Sequence, residues 1–505
     1  MNTESRTSNV KRNVLWGLAG TLSLAIASFA VRTVFVYALG VEYLGVNGLF
    51  TNVLAVLSFS ELGIGAAINY ALYKPISEGD QEKIKALMAF FKNAYRVIAV
   101  VVAVLGLALI PLLGYLVNTD ISMSEIRMYY LVFLFNTVSS YFVIYKATYV
   151  NAIQKSYLVS NVDTLGTLVS YIAQTVAIVV SRSFLIYLLT SSVVLLTKNI
   201  LMAFYFNRRF PVLKEKSSEK IDPKTRKTLW RNVKALVIHK IGDVSVHQTD
   251  NIIVSVAINT TTVGLLSNYT LITSLVRKMT NAVFDAFAAS FGNLVAEDNL
   301  ERRESVFDEF DLFGYILNGT VFVCCVSLVQ PFVGLWLGQD LQLDKLTVFL
   351  LFLSVFLEGQ TATVYQLKVA DGRFKEDQWV AFFQAVVNLV ISIIAAHFIG
   401  LPGVFAGTIV QRMIVVYVRP HIVYKYVFQK STRRYYFRFF LRTLLICLVA
   451  FIGFKIAAAL TVQLSVFSLA IAAFTSLLLS MLFFFCMYFR TKEFKALANR
   501  LRGRK

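Results

Sequence analysis

The sequence predicts an all-α polytopic membrane protein with about 14 transmembrane helices, arranged as two parallel six-helix lobes around a central cavity plus two C-terminal helices. Three observations lead to this fold class. Apolar stretches long enough to cross a membrane follow one another along the chain. Lys and Arg are concentrated in alternate gaps between these stretches. Short segments of the first half recur in the second half at a nearly constant offset.

The composition is that of a membrane protein. Hydrophobic residues make up 57% of the 505 residues and charged residues 15%, whereas a soluble domain carries about 25% charged residues. The net charge of +20 is carried mainly by the gaps between apolar stretches, where Lys and Arg orient helices and contact anionic headgroups. The sequence therefore predicts membrane lipids as partners and no nucleic acid.

The transmembrane spans follow from the length of the apolar stretches, because a helix needs about 20 apolar residues to cross the hydrocarbon core. The predicted spans are 13–39, 46–72, 93–117, 127–150, 158–181, 184–206, 234–258, 262–295, 309–337, 346–370, 378–399, 401–428, 437–459 and 463–489. The first span has a longer apolar core than a signal peptide and no convincing cleavage site after it, so we expect it to be retained.

The distribution of Lys and Arg predicts the orientation of the chain. Basic residues are abundant before the first span, in the second, sixth and twelfth gaps, and in the C-terminal tail. The first, seventh and eleventh gaps contain no Lys or Arg. Because basic loops stay in the cytoplasm, we expect a multi-pass protein of the bacterial inner or plasma membrane with both termini cytoplasmic.

The recurring segments predict a duplication. Pro111-Leu-Leu-Gly114 recurs as Pro331-Phe-Val-Gly334, 220 residues later, and Gly45 recurs as Gly264. A six-helix unit duplicated in this way has the same orientation in both copies, as in parallel-repeat transporters. The predicted domains are an N-terminal lobe at 1–206, a basic cytoplasmic linker at 207–233, a C-terminal lobe at 234–428, and two additional helices with a basic cytoplasmic tail at 429–505.

The sequence gives no sign of an enzyme, a metal site or a bound cofactor. It contains no phosphate-binding loop, no serine-nucleophile elbow and no metal-type His cluster. The four cysteines fall within predicted spans and form no Cys-x-x-Cys pair, so neither a disulfide framework nor a zinc site is expected. Transport would therefore draw on a proton or sodium gradient, the membrane potential or the gradient of the substrate.

Among the cations that fall inside predicted spans, four are singled out: Arg32, Lys198, Arg277 and Arg412. A charged side chain is costly in hydrocarbon, so it is expected to face a cavity or a partner charge. These residues are candidates for binding an anionic substrate, and Arg suits phosphate because its planar fork offers two donors at once. The alternative is an ion pair within the membrane, for instance with Asp250, Asp285 or Glu358.

The seventh predicted span is the most polar. His239, Asp243, His247 and Asp250 are spaced four, four and three residues apart, which places them on one helical face. Because His titrates near neutral pH, this face is a candidate for lining a wet cavity or for binding a coupling proton or sodium ion. The alternative is a set of polar contacts between helices.

Two further acids, Glu61 and Glu358, are candidates for the same cavity or coupling role. Glu61 lies beside two glycines in Ser60-Glu-Leu-Gly63-Ile-Gly65, which indicates a bent or closely packed helix. The alternative for Glu61 is a structural pair with Arg32 on the adjacent span.

Four segments resemble a known family. Leu44–Phe50, Glu61–Gly65 and Leu72–Pro75 resemble the opening of bacterial Wzx-type polysaccharide flippases, and Ser290–Glu297 is similar to the end of their eighth span. These flippases belong to the multidrug/oligosaccharidyl-lipid/polysaccharide (MOP) exporter superfamily. The resemblance covers the N-terminal half well and the C-terminal third by topology.

The resemblance implies two lobes that alternate between inward-open and outward-open states. It implies a substrate made of an oligosaccharide repeat unit on undecaprenyl diphosphate, flipped to the outer leaflet for capsule, exopolysaccharide or O-antigen assembly. A polysaccharide polymerase and chain-length machinery are the implied partners. Arg32, Arg277 and Arg412 are then candidate diphosphate contacts.

Two transporter alternatives stay open. A lipid II flippase of the same superfamily, which carries the peptidoglycan precursor, has the same number of spans. A cation-coupled multidrug exporter would have fewer spans and an acidic cavity. A membrane glycosyltransferase is disfavoured because the predicted loops are short. The sequence leaves the sugar, the coupling ion and the oligomeric state open.

Overall fold

The protein is all-helical over the residues that the structure describes. The computed structural model describes residues 6–58, 64–215, 221–223, 227, 229, 231, 248–295, 299–373, 376–377 and 379–501. It describes the backbone alone at 6–19, 22, 64, 66–67, 285–295 and 500–501. Every regular element in these ranges is a helix, as the sequence predicts.

The helices up to the middle of the chain are α1 Arg6–Leu39, α2 Val41–Leu57, α3 Ile64–Glu78, α4 Gln81–Leu109, α5 Leu113–Leu116, α6 Met123–Ser140, α7 Ile144–Ala152, α8 Ser156–Ser181, α9 Phe184–Arg209 and α10 Asp250–Ala257. Short 3₁₀ turns lie at Ile110–Leu112 and Pro211–Leu213. Helix α1 packs along α8, and α8 packs along α9.

The remaining helices are α11 Thr260–Val295, α12 Leu300–Trp336, α13 Lys345–Gln360, α14 Ala362–Ala370, α15 Val380–Ile399, α16 Leu401–Tyr426, α17 Arg433–Leu460, α18 Val466–Tyr488 and α19 Lys492–Leu501. Helix α15 packs along α16, and both α17 and α18 pack against α12. The predicted additional helices at the C-terminus are thus α17 and α18.

The helices match the hydropathy of the sequence. In the described ranges, 9 helices are long and apolar enough to cross a membrane, and a tenth is obtained if α6 and α7, which meet at 42°, form one bent span. The shorter apolar helix Ser23–Leu39 lies within the first predicted span, and Val41–Leu57 begins five residues before the second, predicted at 46–72. The chain is therefore a multi-pass membrane protein.

The chain divides into two compact units, Met1–Gly264 and Leu265–Lys505. The division falls within α11, whereas the sequence places a linker at 207–233. Because most of that segment lies outside the described residues, the predicted domain bounds stay a prediction.

Helix ends are set by side-chain caps and by glycine. Asp344 precedes α13 and its carboxylate accepts the Thr347 N–H at 2.8 Å, which satisfies one of the free donors of the first turn. Ser465 and Ser468 form a capping box at the start of α18. Gly400 has φ 65°, a left-handed value that glycine adopts without strain, and it reverses the chain between α15 and α16.

Two glycines that the repeat pairs with each other meet in the first unit, where α2 crosses the first turn of α11. A Cβ on Gly45 would lie 1.9 Å from the Thr260 carbonyl oxygen, and a Cβ on Gly264 would lie 1.9 Å from the Val41 carbonyl oxygen. Each glycine thus faces the carbonyl four residues before the other. The duplication itself stays a prediction.

Candidate functional site

Three charged side chains that the sequence singles out meet in the second unit. The Arg412 Nη2 lies 2.8 Å from Glu358 Oε2, and the Arg277 Nη2 lies 3.2 Å from the same oxygen. We name these three residues the Glu358 cluster. It joins α11, α13 and α16 and brings two guanidinium groups to one carboxylate.

The Glu358 cluster is partly accessible. The side chains of Arg277 and Glu358 are each 30% exposed, and that of Arg412 is 11% exposed. A fully desolvated ion would carry a penalty of several kcal/mol, which is about the size of its attraction to its partner. The partial exposure of Arg277 and Glu358 therefore leaves the cluster able to exchange partners with an incoming anion.

The backbone beside Glu358 is shaped for this position. Helix α13 ends two residues later, and the Thr361 N–H bonds the Glu358 carbonyl oxygen at 3.2 Å where α14 begins. Gly359 lets α12 approach closely, since a Cβ there would lie 2.2 Å from Asn318 Oδ1. The break and the glycine together fix the Glu358 side chain between the two arginines.

A polar face of α16 continues from Arg412. The Gln384 amide donates to Gln411 Oε1 at 2.6 Å, and the Asn388 amide donates to the Thr408 hydroxyl at 3.2 Å. Gln411 and Asn388 are fully buried. Because buried polar groups in a membrane need partners, these bonds also hold α15 against α16.

Arg32 lies on α1 in the first unit and is half-buried. It interacts electrostatically with Tyr171 of α8 and Tyr187 of α9. The Tyr187 ring in turn packs edge-on against Phe35, with centroids 5.1 Å apart. Arg32 therefore lies beside an aromatic wall built from three helices.

Lys198 forms an ion pair across α8 and α9. Its Nζ lies 2.8 Å from Asp163 Oδ1, with the two side chains 20% and 49% exposed. Gly166 makes room for the lysine, because a Cβ there would lie 2.4 Å from Lys198 Cδ. The charge of Lys198 is thus balanced by a half-exposed carboxylate, and its predicted contact with substrate stays a prediction.

Of the four polar residues on one face of the seventh predicted span, the structure describes the last. Asp250 is the first residue of α10 and is half-buried, while Glu61, His239, Asp243 and His247 lie outside the described residues. Their predicted roles in a cavity or in ion coupling therefore stay predictions. The side chain of Asp285 is also outside the description.

Next to Asp250 the structure places a polar network that the sequence analysis missed. The Asn52 amide donates to Gln248 Oε1 at 2.8 Å, and the Asn251 amide donates to Asn52 Oδ1 at 3.1 Å. The network ties α2 to the start of α10 within the first unit. The sequence signal for this network was the presence of uncharged Asn and Gln side chains inside apolar spans.

A charge quartet in the second unit, buried at one pair and half-buried at the other, was also missed. Arg442 Nη1 lies 2.6 Å from Asp311 Oδ2, and Arg438 Nη2 lies 2.7 Å from Asp308 Oδ1. Arg438 also lies 3.4 Å from Asp311. The quartet joins α12 to α17. Its sequence signal was the spacing: the two acids are three positions apart and the two arginines four positions apart, so each pair lies on one helical face.

A third group of charges lies between α14 and α16. Asp377 Oδ2 is 2.6 Å from Lys368 Nζ and 3.2 Å from Arg419 Nε, and the Asp377 and Lys368 side chains are nearly inaccessible. The Tyr365 ring lies 5.0 Å from the Arg419 guanidinium, which adds a cation–π contact. Among the residues that the structure describes, no group of three His, Cys, Asp or Glu side chains is placed to hold a metal ion.

Comparison with known proteins places the fold. No protein-family model matches the chain. No curated protein matches it in sequence either. Solved structures do match. The lipid II flippase MurJ in an inward closed conformation gives a TM-score of 0.67 at 16% identity, covering 94% of this chain and 99% of that one.

Two further matches are MATE transporters, of which the first is described as a multidrug resistance transporter. A MATE family transporter of the MOP superfamily gives a TM-score of 0.61 at 15% identity, covering 79% of this chain and 96% of that one. A Vibrio cholerae MATE transporter gives 0.57 at 14% identity, covering 84% and 99%. The chain therefore has the membrane-protein fold shared by the lipid II flippase and the MATE transporters of the MOP superfamily.

Proposed function

We propose that this chain is a flippase that moves undecaprenyl-diphosphate-linked oligosaccharide repeat units to the outer leaflet by alternating access, for surface polysaccharide biosynthesis. The observation that carries the proposal is the Glu358 cluster, in which two arginines share one carboxylate within apolar spans. Two guanidinium groups held at one point within the spans suit an anionic substrate.

The diphosphate is the part of the substrate that the cluster would recognise. Guanidinium groups bind phosphate oxygens with two parallel hydrogen bonds, and Arg277 and Arg412 come from different helices, so they approach from two sides. Glu358 keeps both cations in place in the absence of substrate. An arriving diphosphate would take over the hydrogen bonds that Glu358 accepts, so that the cations are never left in hydrocarbon without a partner.

The extent of the structural matches favours a flippase over a drug exporter. The flippase covers 94% of this chain and the first MATE structure 79%, a difference of 15% of 505 residues, or about 76. The Vibrio cholerae MATE structure, at 84%, also covers less of this chain than the flippase does. The two guanidinium groups of the Glu358 cluster also argue against a site for cationic drugs.

A lipid II flippase is the second candidate function, and the match to the structure of MurJ favours it. Lipid II and polysaccharide repeat units share the lipid carrier and the diphosphate, so the Glu358 cluster suits both. They differ in the glycan, and the experiment must therefore read out the pathway.

A deletion strain separates the candidates. We expect cells that lack the gene to stay viable, to lose surface polysaccharide and to accumulate lipid-linked repeat units, all restored by a plasmid copy. Loss of viability with accumulation of lipid II would replace the proposal with the second candidate. Normal polysaccharide with increased drug sensitivity would replace it with a multidrug exporter.

Substitution in the Glu358 cluster tests the site. We expect Arg412→Gln and Arg277→Gln each to lower surface polysaccharide at least tenfold at equal protein level, the equivalent of about 1.4 kcal/mol of lost substrate interaction. The measurement is immunodetection of polysaccharide beside quantified membrane protein. Arg434→Gln, which removes an exposed arginine at the start of α17, is the matched control and should match the wild type. Wild-type polysaccharide in both cluster variants would remove the cluster from the mechanism.

The proposal also includes the orientation predicted from the charges. Both termini would be cytoplasmic in the inner or plasma membrane, with energy from a proton or sodium gradient or the membrane potential, and with delivery to a polymerase and its chain-length machinery. We expect a C-terminal green fluorescent protein fusion to fluoresce and a C-terminal alkaline phosphatase fusion to be inactive. The opposite pair of results would invert the topology.

A further inference from the structure

An apolar slot opens in the second unit where α12, α13 and α17 lie together. Its volume is about 220 Å³. It is lined mainly by Val326, Val348, Phe349, Phe451, Phe454 and the stem of Lys345. A cavity of about 150 Å³ with such a lining holds a benzene molecule, so this slot has room for a segment of hydrocarbon chain.

The floor of the slot offers no polar group to a ligand. Gln330 is the uncharged polar residue in the lining, and its side chain is already engaged. The Tyr269 hydroxyl donates to Gln330 Oε1 at 3.1 Å, and Gln330 Nε2 donates to the Leu343 carbonyl oxygen at 2.5 Å. A polar ligand such as a saccharide would lose its hydrogen bonds to water without replacement.

Two lysines lie near the opening of the slot, which we call its mouth, beside two of the rings that line it. The Lys345 Nζ lies 5.8 Å from the centroid of Phe454, and the Lys455 Nζ lies 5.4 Å from that of Phe451. Both lysines are exposed. Among the described residues neither has a carboxylate within ion-pair distance, and the nearby Asp344 carboxylate is bound to the first turn of α13.

The position of the lysines fits the depth of lipid headgroups. Lys345 is the first residue of α13, and Lys455 lies five residues before the end of α17. Both are therefore at the end of the bundle that the charge distribution assigns to the outer face. Cations are scarce there, and the others near helix ends on that face are Arg127 and Arg182.

We propose that this slot binds one acyl chain of an anionic phospholipid of the outer leaflet, with the lipid phosphate between Lys345 and Lys455. An apolar floor below a cationic mouth matches an amphiphile with a negative head. The acyl chain gains little free energy by leaving the equally apolar bilayer. The preference for an anionic over a zwitterionic lipid therefore comes from the two lysines. We expect each to contribute about fivefold, and both together roughly 25-fold.

Native mass spectrometry of the purified full-length chain tests the proposal. The probes are phosphatidylglycerol and phosphatidylethanolamine with identical acyl chains. We expect the wild type to bind one phosphatidylglycerol in preference to phosphatidylethanolamine. In Lys345→Gln/Lys455→Gln the preference should fall roughly 25-fold. Arg127→Gln/Arg182→Gln, which removes the same charge from the same face, should keep it.

A second variant tests the chain-binding floor. Leu346 lines the slot but is 54% exposed, so Leu346→Trp should fold while it narrows the mouth. We expect it to lose the phosphatidylglycerol adduct. An unchanged preference in the lysine double variant would overturn the proposal. Tighter binding of undecaprenyl phosphate than of phosphatidylglycerol would also overturn it, because the slot would then serve an isoprenoid chain. The binding measurement is independent of transport, so it stands whether or not the chain is a flippase.

Discussion

Asp311→Ala is expected to destabilise the second unit by about 3–5 kcal/mol, the usual result of removing one partner of a buried ion pair. The Asp311 side chain is fully inaccessible and pairs with Arg442, whose side chain is 7% exposed. Without Asp311 the quartet keeps two arginines and one acid. The uncompensated guanidinium would then lie in a region that water does not reach.

Arg442 has further contacts that keep its side chain away from solvent. The Tyr315 hydroxyl donates to the Arg442 carbonyl oxygen at 2.9 Å, and the Arg442 Nε donates to the Tyr488 hydroxyl at 3.3 Å. The Tyr315 ring also lies 5.0 Å from the guanidinium. Because three helices fix the arginine, it cannot swing out to solvent when its acid is removed.

The measurement is the melting temperature of the detergent-purified protein by fluorescence-detected size-exclusion chromatography. Asp308→Ala is the matched control, since Asp308 is 22% exposed and its partner Arg438 is 25% exposed. Its loss should cost about 1 kcal/mol or less. The double variant Asp311→Leu/Arg442→Met should recover much of the stability, because both charges leave together. A melting temperature for Asp311→Ala equal to that of the control would contradict this account.

Gly45→Ala is expected to cost about 1–3 kcal/mol or more, although alanine is normally the better helix residue. The new Cβ would lie 1.9 Å from the Thr260 carbonyl oxygen, which is backbone and cannot rotate away. Helices α2 and α11 would have to separate. They would lose the close backbone approach that small residues allow in membranes.

Gly264→Ala should cost a similar amount, because its Cβ would meet the Val41 carbonyl oxygen at the same distance. Once one substitution has separated the helices, the second meets less resistance. The double variant should therefore cost clearly less than the sum of the two. Gly114→Ala is the control, since its Cβ would lie 3.9 Å from the nearest heavy atom, Met123 Cε. Additive effects, or losses no larger than that of the control, would show that the crossing is not tightly packed. The melting temperature of each single variant, of the double variant and of the control measures these changes in stability.

Several predicted spans agree with the helices to within two residues at each end. The fifth span, predicted at 158–181, is Ser156–Ser181, and the eleventh, predicted at 378–399, is Val380–Ile399. Both helices are largely exposed on the protein, so hydropathy reports them directly. The fourth span contains a bend of 42° between α6 and α7 that hydropathy does not report, because a bend changes direction without changing composition.

The sequence did not decide which charged side chains form ion pairs with each other. It offered three acids as partners for Arg277 and Arg412, and the structure places Glu358 between both arginines. The quartet around Asp311 escaped notice because its members lie near the ends of predicted spans, where charges are common and uninformative. Distinguishing a buried pair from a headgroup contact needs the packing of α12 against α17, which hydropathy does not encode.

The quartet has a consequence for the order in which the chain is assembled in the membrane. Arg438 and Arg442 lie in the first turns of α17, and an arginine within a spanning helix opposes release of that helix into lipid by up to about 3 kcal/mol. Their acids belong to a helix synthesised earlier, since Asp311 precedes Arg442 by 131 residues. When α17 leaves the ribosome, α12 therefore already offers two carboxylates at the required height. The docking of the thirteenth predicted span onto the ninth would then offset the cost of its two arginines, while its apolar remainder, with a mean hydropathy of 2.4, favours insertion.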